Sequence, residues 1–156
     1  MNDSASESQN AYSVSKLTEE ARRLAADYRR ATGKSLPLSP EIAINDAIRL
    51  LGMSASEDDY CDAVYTRDGA ECRVIVKGRA IFDKTRSGQR IGQLKFDKPW
   101  DEALLVIMDE DYETTEIYRA NRDTMAAALA EKAENKRGAM TVSQFKIIAT
   151  KIWPHD

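Results

Sequence analysis

Two textures of hydrophobic and polar positions follow one another along the chain. From about Ser13 to Thr32, Leu17, Ala21, Leu24, Ala25 and Tyr28 recur at helical spacing, with Arg22, Arg23, Arg29 and Arg30 on the other faces. This pattern predicts an amphipathic helix that Gly33 stops. "SLPLSP" then spaces the chain. Ser39 as N-cap and Pro40 at the first helical position predict a second helix to about Leu51, closed by Gly52. After the acidic "SEDDY" the apolar runs become short and β-rich. "DAVYT" and "ECRVIVKG" flank "RDGA", and Asp-Gly between two such runs is a strong hairpin signal.

If Asp68 and Gly69 are the loop residues, the register follows by counting outward: Arg67 faces Ala70, Tyr65 faces Cys72, Ala63 faces Val74 and Asp62 faces Ile75. Opposed residues share a sheet face, so Asp62, Ile75 and Lys77 point the same way. Cys61 and Cys72 are not opposed, which argues against a disulfide between them. "KTRSGQRIGQL" is polar and reads as a loop or irregular hairpin carrying Lys84, Arg86 and Arg90. The continuous apolar run "ALLVIMD" predicts a central strand, "TTEIYRA" its neighbour, and the acidic "DEDYE" the connection between them. "RDTMAAALAEKAENK" is Ala-rich and helical. "TVSQFKIIATKIW" predicts a last helix starting near Thr141 or Ser143, with Val142, Phe145, Ile148, Ala149 and Ile152 as its apolar stripe. The order of elements predicts an α/β (α+β) fold: one domain over 13–156, a mixed β-sheet with flanking helices, after a small, polar, Ser-rich tail at 1–12.

Composition changes this picture little. A chain of 156 residues can bury a core without disulfides or metal. Two cysteines, with no basic-plus-apolar leader and no long apolar run, predict a cytoplasmic protein and exclude membrane readings. The formal net charge of -3 gives no whole-molecule attraction for nucleic acid, so any such binding must be regional. One region qualifies. Between Arg67 and Lys95, Arg67, Arg73, Lys77, Arg79, Lys84, Arg86, Arg90 and Lys95 stand against Asp68, Glu71 and Asp83. Arg73, Lys77, Arg79, Lys84, Arg86 and Arg90 are candidate contacts to a phosphate backbone. The alternative is a set of solvated charges balancing the acidic stretches at 57–62 and 109–116.

The pair that could carry chemistry is Asp62 with Lys77. A Mg²⁺-dependent phosphodiester nuclease needs carboxylates converging on a hard cation, and a lysine that orients the attacking water and offsets charge building on the phosphate. The hairpin supplies Asp62 as metal ligand and Lys77; it lacks a second acid beside them. An Asp at a strand start and a Lys near a strand end are also common in structures where they do nothing chemical.

The succession "ATGKSLPLSPEIAINDAIRLLGM", "DDYCDAVYTRDGAECRVIVKGR", "FDKPWDEALLVIMDEDYETTEIYRA" and "TVSQFKIIATKIW" resembles a bacterial protein family related to the PD-(D/E)XK nuclease superfamily, over roughly residues 20–153. The resemblance implies a restriction-endonuclease-like fold. It also implies two glutamates a turn apart on the second helix, and an acid or amide two residues before the hairpin lysine. Glu41 stands at the first helical position, but Ile44 stands at the second and Ile75 at the hairpin position. Branched hydrocarbon occupies two places where a cation would need oxygen. Mg²⁺ dehydrates reluctantly and demands oxygen ligands, so its binding here is expected to be weak. The expectation is a catalytically degenerate nuclease-like protein, acting as a nucleic-acid-binding or protein-interaction subunit of a nucleic-acid-processing or defence system. The alternative is an active Mg²⁺ endonuclease using Asp62, Lys77 and a migrated carboxylate from Glu41.

Overall fold

A computed structural model describes residues 13–34, 36–81, 89–131 and 140–155. They fall into two compact units that part between Pro37 and Leu38. The first contains helix α1 (Val14–Thr32). Ser13 caps it, its hydroxyl accepting the Lys16 N–H at 3.2 Å, and Gly33 ends it at φ 76°, its N–H bonding to the Arg29 carbonyl. Start and stop are those the sequence predicts.

The second unit contains α2 (Leu38–Leu51), β1 (Ser54–Ala55), β2 (Ala63–Arg67), β3 (Ala70–Ala80), β4 (Glu102–Met108), β5 (Thr114–Asn121), α3 (Arg122–Ala130), α4 (Val142–Ile148) and β6 (Thr150–Trp153). The fold is mixed α+β. Its six strands lie side by side in chain order, β3 and β4 parallel and every other neighbouring pair antiparallel. No helix among the described residues is long and apolar enough to cross a membrane.

Alternation along β3 divides the core. Val74 and Val76 face α2, whose Ala43 and Ala47 pack with Leu104, Val106 and Ile117. Ile75 faces the other way, toward a layer in which Ile91, Leu94 and Trp100 join Met125 of α3 and Phe145 of α4 over Leu105 and Ile107. β4 is buried along its whole length, as a central strand must be when both faces are covered. The expectation for 103–108 is borne out, as are β5 beside it and the acidic turn between them.

Two boundaries differ from the sequence reading. α2 begins at Leu38, two residues before Pro40, which sits in the first turn where its missing N–H has no intrahelical role. The last predicted helix is interrupted. Thr141 caps α4 in a reciprocal capping box with Gln144, but at Ala149 the backbone turns extended (φ -103°, ψ 165°) and Thr150–Trp153 becomes a strand against β5. The helical stripe from Val142 to Ile152 masks a switch of period at Thr150. Pairing with an otherwise unfilled edge of β5 overrides the pattern there. The Ala-rich helix is α3, capped by Asn121; its predicted continuation through 132–136 lies outside the described residues.

Candidate nucleic-acid interface at the Asp62–Lys77 cleft

The hairpin has the counted register: Arg67 opposes Ala70, Tyr65 opposes Cys72 and Ala63 opposes Val74. Asp68 (φ 53°) and Gly69 (φ 80°) both take positive φ, the requirement of a two-residue type I′ turn. Both cysteines are free. Asp62 lies one residue before β2, where the ladder is finished by its own groups. Its N–H donates to the Val74 carbonyl at 2.8 Å, and its Oδ2 accepts the Val76 N–H at 2.7 Å. The carboxylate thus serves as the last rung between the strands.

Asp62, Ile75 and Lys77 line one cleft of about 280 Å³. Its opposite wall is the segment leading into β4, which contributes Gln93, Lys95, Lys98 and Trp100, and the turn before β2 adds Asp59 and Tyr60. Apolar anchors fold that wall back over β3: Ile91, Leu94 and Trp100 are buried, and the Trp100 indole N–H donates to the Lys95 carbonyl at 2.8 Å. Lys95 and Lys98 are thereby held on a fixed turn. Arg122 reinforces it by donating to the carbonyls of Phe96, Lys98 and Trp100 while its guanidinium lies 4.9 Å from the Trp100 ring centroid.

Electrostatics in the cleft are set by burial. Desolvation pushes the Asp62 carboxyl above its ordinary range; the Val76 N–H and the Lys77 charge pull it down, and the field of Glu41 pushes it up. Desolvation also lowers the Lys77 ammonium, opposed by Asp62 and assisted by Arg79 and Lys95. The lysine donates to the Gln93 carbonyl at 3.3 Å.

The remaining predicted residues are placed as follows. Glu41 is exposed in the first turn of α2 and lines no part of the cleft, although its charge reaches Asp62. Ile44 packs among the half-buried residues of the α2–sheet core, and Ile75 packs on the opposite core. Arg73 is engaged by its neighbours: its backbone N–H donates to Asp101, its guanidinium donates to the Tyr60 hydroxyl at 3.4 Å, and Nε lies 3.8 Å from Asp101. Arg79 donates to the carbonyls of Gly78 and Arg90. Arg90 is exposed and bridges to Thr141. Lys84 and Arg86 lie outside the described residues. Among the described residues no three His, Cys, Asp or Glu side chains cluster to hold a metal ion.

Lys98 was not a predicted site residue. The sequence gives it no periodic signal: Ile91, Leu94, Phe96 and Trp100 are apolar residues at irregular spacing in a polar segment, and only their packing on the core fixes the segment to the sheet. Gly78 shows why a glycine follows the hairpin lysine. A Cβ there would stand 2.5 Å from the Ala43 Cβ and 2.9 Å from the Ser39 carbonyl oxygen. Glycine lets α2 rest directly on β3, while Lys77 turns to the other face.

No protein-family model matches the chain, and no curated protein does.

Proposed function

We propose that the protein is a catalytically degenerate relative of the PD-(D/E)XK nucleases whose Asp62–Lys77 cleft holds a phosphate backbone without cutting it. One observation carries the reading: Lys77, Lys95 and Lys98 converge on a cleft whose half-buried carboxylate, Asp62, has a hydrocarbon neighbour, Ile75, where a second metal ligand would belong. A phosphate diester brings oxygens and a negative charge that three ammonium groups can contact, and such contacts read no base edge. Cleavage requires more. With Ile75 beside Asp62 and the exposed Asp59 as the further carboxylate lining the cleft, the cation and the charge on the departing oxygen are poorly stabilised.

The test is purified protein with single-stranded and duplex DNA and RNA in Mg²⁺ and in Mn²⁺, alongside Asp62→Ala and Ile75→Glu. Wild type should retain the polymer at low salt and leave it intact, and Ile75→Glu should strengthen Mn²⁺ binding at the cleft. Ile44→Glu is the poorer restoration, because Ile44 packs on the α2 side of the sheet and does not line the cleft, whereas Ile75 does. Robust metal-dependent cleavage by wild type, abolished in Asp62→Ala, would establish the active endonuclease instead, with Glu41 or Asp59 completing the site.

A further inference from the structure

On the opposite face of the sheet, independent of the Asp62–Lys77 cleft, lies a second cavity of about 490 Å³. We propose that it binds a small amphipathic organic anion, a hydrocarbon or aromatic body carrying one acidic group. The size is that of ordinary small-molecule sites. Leu50 and Leu51 at the end of α2, with Met53, Leu104 and Ile152, supply its apolar surface. Its polar lining is Tyr65, Glu102, Arg119, Lys151 and the exposed His155, of which Glu102 and Arg119 decide the ligand. Glu102, on the floor, is the one charged residue that is buried among those described, at 4% exposure. Its charge is already neutralised: Arg67 Nη1 lies 2.9 Å from Oε2, and the Tyr65 hydroxyl donates to Oε1. Arg119, beside Leu104 in the β4–β5 ladder, has no ion-pair or hydrogen-bond partner for its guanidinium among the described residues.

The two together set the ligand's chemistry. A neutralised carboxylate floor repels an anion little, while a half-buried, unpaired guanidinium at an apolar wall attracts one and offers a bidentate fork to a carboxylate or phosphate. Lys151 also borders the cavity, but its ammonium lies 4.0 Å from Glu116 and is partly spent there. The negative dipole end of α2 lies at Leu50 and Leu51, so the acid belongs at Arg119 and the hydrocarbon against those leucines.

Titration with 8-anilinonaphthalene-1-sulfonate, an amphipathic aromatic anion, tests this on the full chain. The wild type should bind it saturably, with octanoate and octyl phosphate displacing it and octylamine failing to do so. Their relative potency tells a carboxylate ligand from a phosphate one. Arg119→Glu should weaken the probe at least about tenfold, the loss of one charge-assisted contact. Met53→Trp, which fills the cavity without touching a charge, should do the same, and Arg22→Glu at an exposed position of α1 that lines neither cavity should leave binding unchanged. Circular dichroism establishes that each variant is folded. If Arg119→Glu unfolds the chain, Met53→Trp and the octanoate–octylamine contrast decide alone. No saturable binding, displacement by octylamine as strong as by octanoate, or unchanged binding in folded Met53→Trp would each overturn the proposal.

Discussion

Two carboxylates on opposite faces of the same sheet, Glu102 and Asp62, show how differently a fold can treat a partly buried charge. Glu102 opens β4 and is closed off: Arg67 and Tyr65 reach it from the hairpin strand, and the phenol is held well above its ordinary pKa by burial and by the carboxylate it serves. Asp62 ends at a cleft. Its oxygen is used by a backbone N–H, the nearby lysine donates to a different acceptor, and both groups are shifted toward neutrality by desolvation. A closed pair secures the sheet at one end. An open pair is a cost that packing does not recover, and costs of that kind gather where a surface must meet something else.

Several substitutions break or sharpen this contrast. The largest loss should come from Glu102→Ala, which strands the Arg67 charge and the Tyr65 hydroxyl; about 3 kcal/mol is expected in urea unfolding. Gly78→Ala, on the same face, should cost about 2 kcal/mol, because α2 must lift away from a new Cβ. On the open side the sign reverses. Asp62→Asn keeps an oxygen for the Val76 N–H and removes a desolvated charge, so a gain on the order of 1 kcal/mol is expected at neutral pH. Its pH dependence follows from the raised carboxyl. Wild type loses stability as pH rises from the ordinary aspartate range through the raised folded value, so the gain should shrink as the solution is acidified. Smallest of all, Lys95→Glu with Lys98→Glu should change stability by less than about 0.5 kcal/mol. Asp62→Asn destabilising as much as Glu102→Ala would mean that both carboxylates are structural.

The hairpin and central strand were legible because their signals are local. Asp68-Gly69 fixes the turn, the turn fixes the register, and the register places Asp62, Ile75 and Lys77 on one face. The other half of the cleft was not legible, because Lys95 and Lys98 reach it only when Ile91, Leu94 and Trp100 find the sheet, which no local pattern announces. Thr150–Trp153 failed for a related reason: a helix-compatible stripe runs through residues whose fate is decided by the free edge of β5. The Glu102–Arg67–Tyr65 cluster was also invisible in the sequence, since a glutamate at the head of a strand looks solvent-facing until β2 and β3 are laid beside it.

The most direct measurement is the anisotropy of labelled single-stranded and duplex oligonucleotides titrated with wild type and with Lys95→Glu/Lys98→Glu across a range of salt concentrations. Each phosphate contact contributes about one unit to the slope of log affinity against log salt. Wild-type affinity should fall steeply with salt and show no sequence preference, and the double variant should bind more weakly with a slope shallower by about two. Absence of binding at low salt, or equal slopes for the two proteins, would contradict the account and leave the cleft without a phosphate to hold.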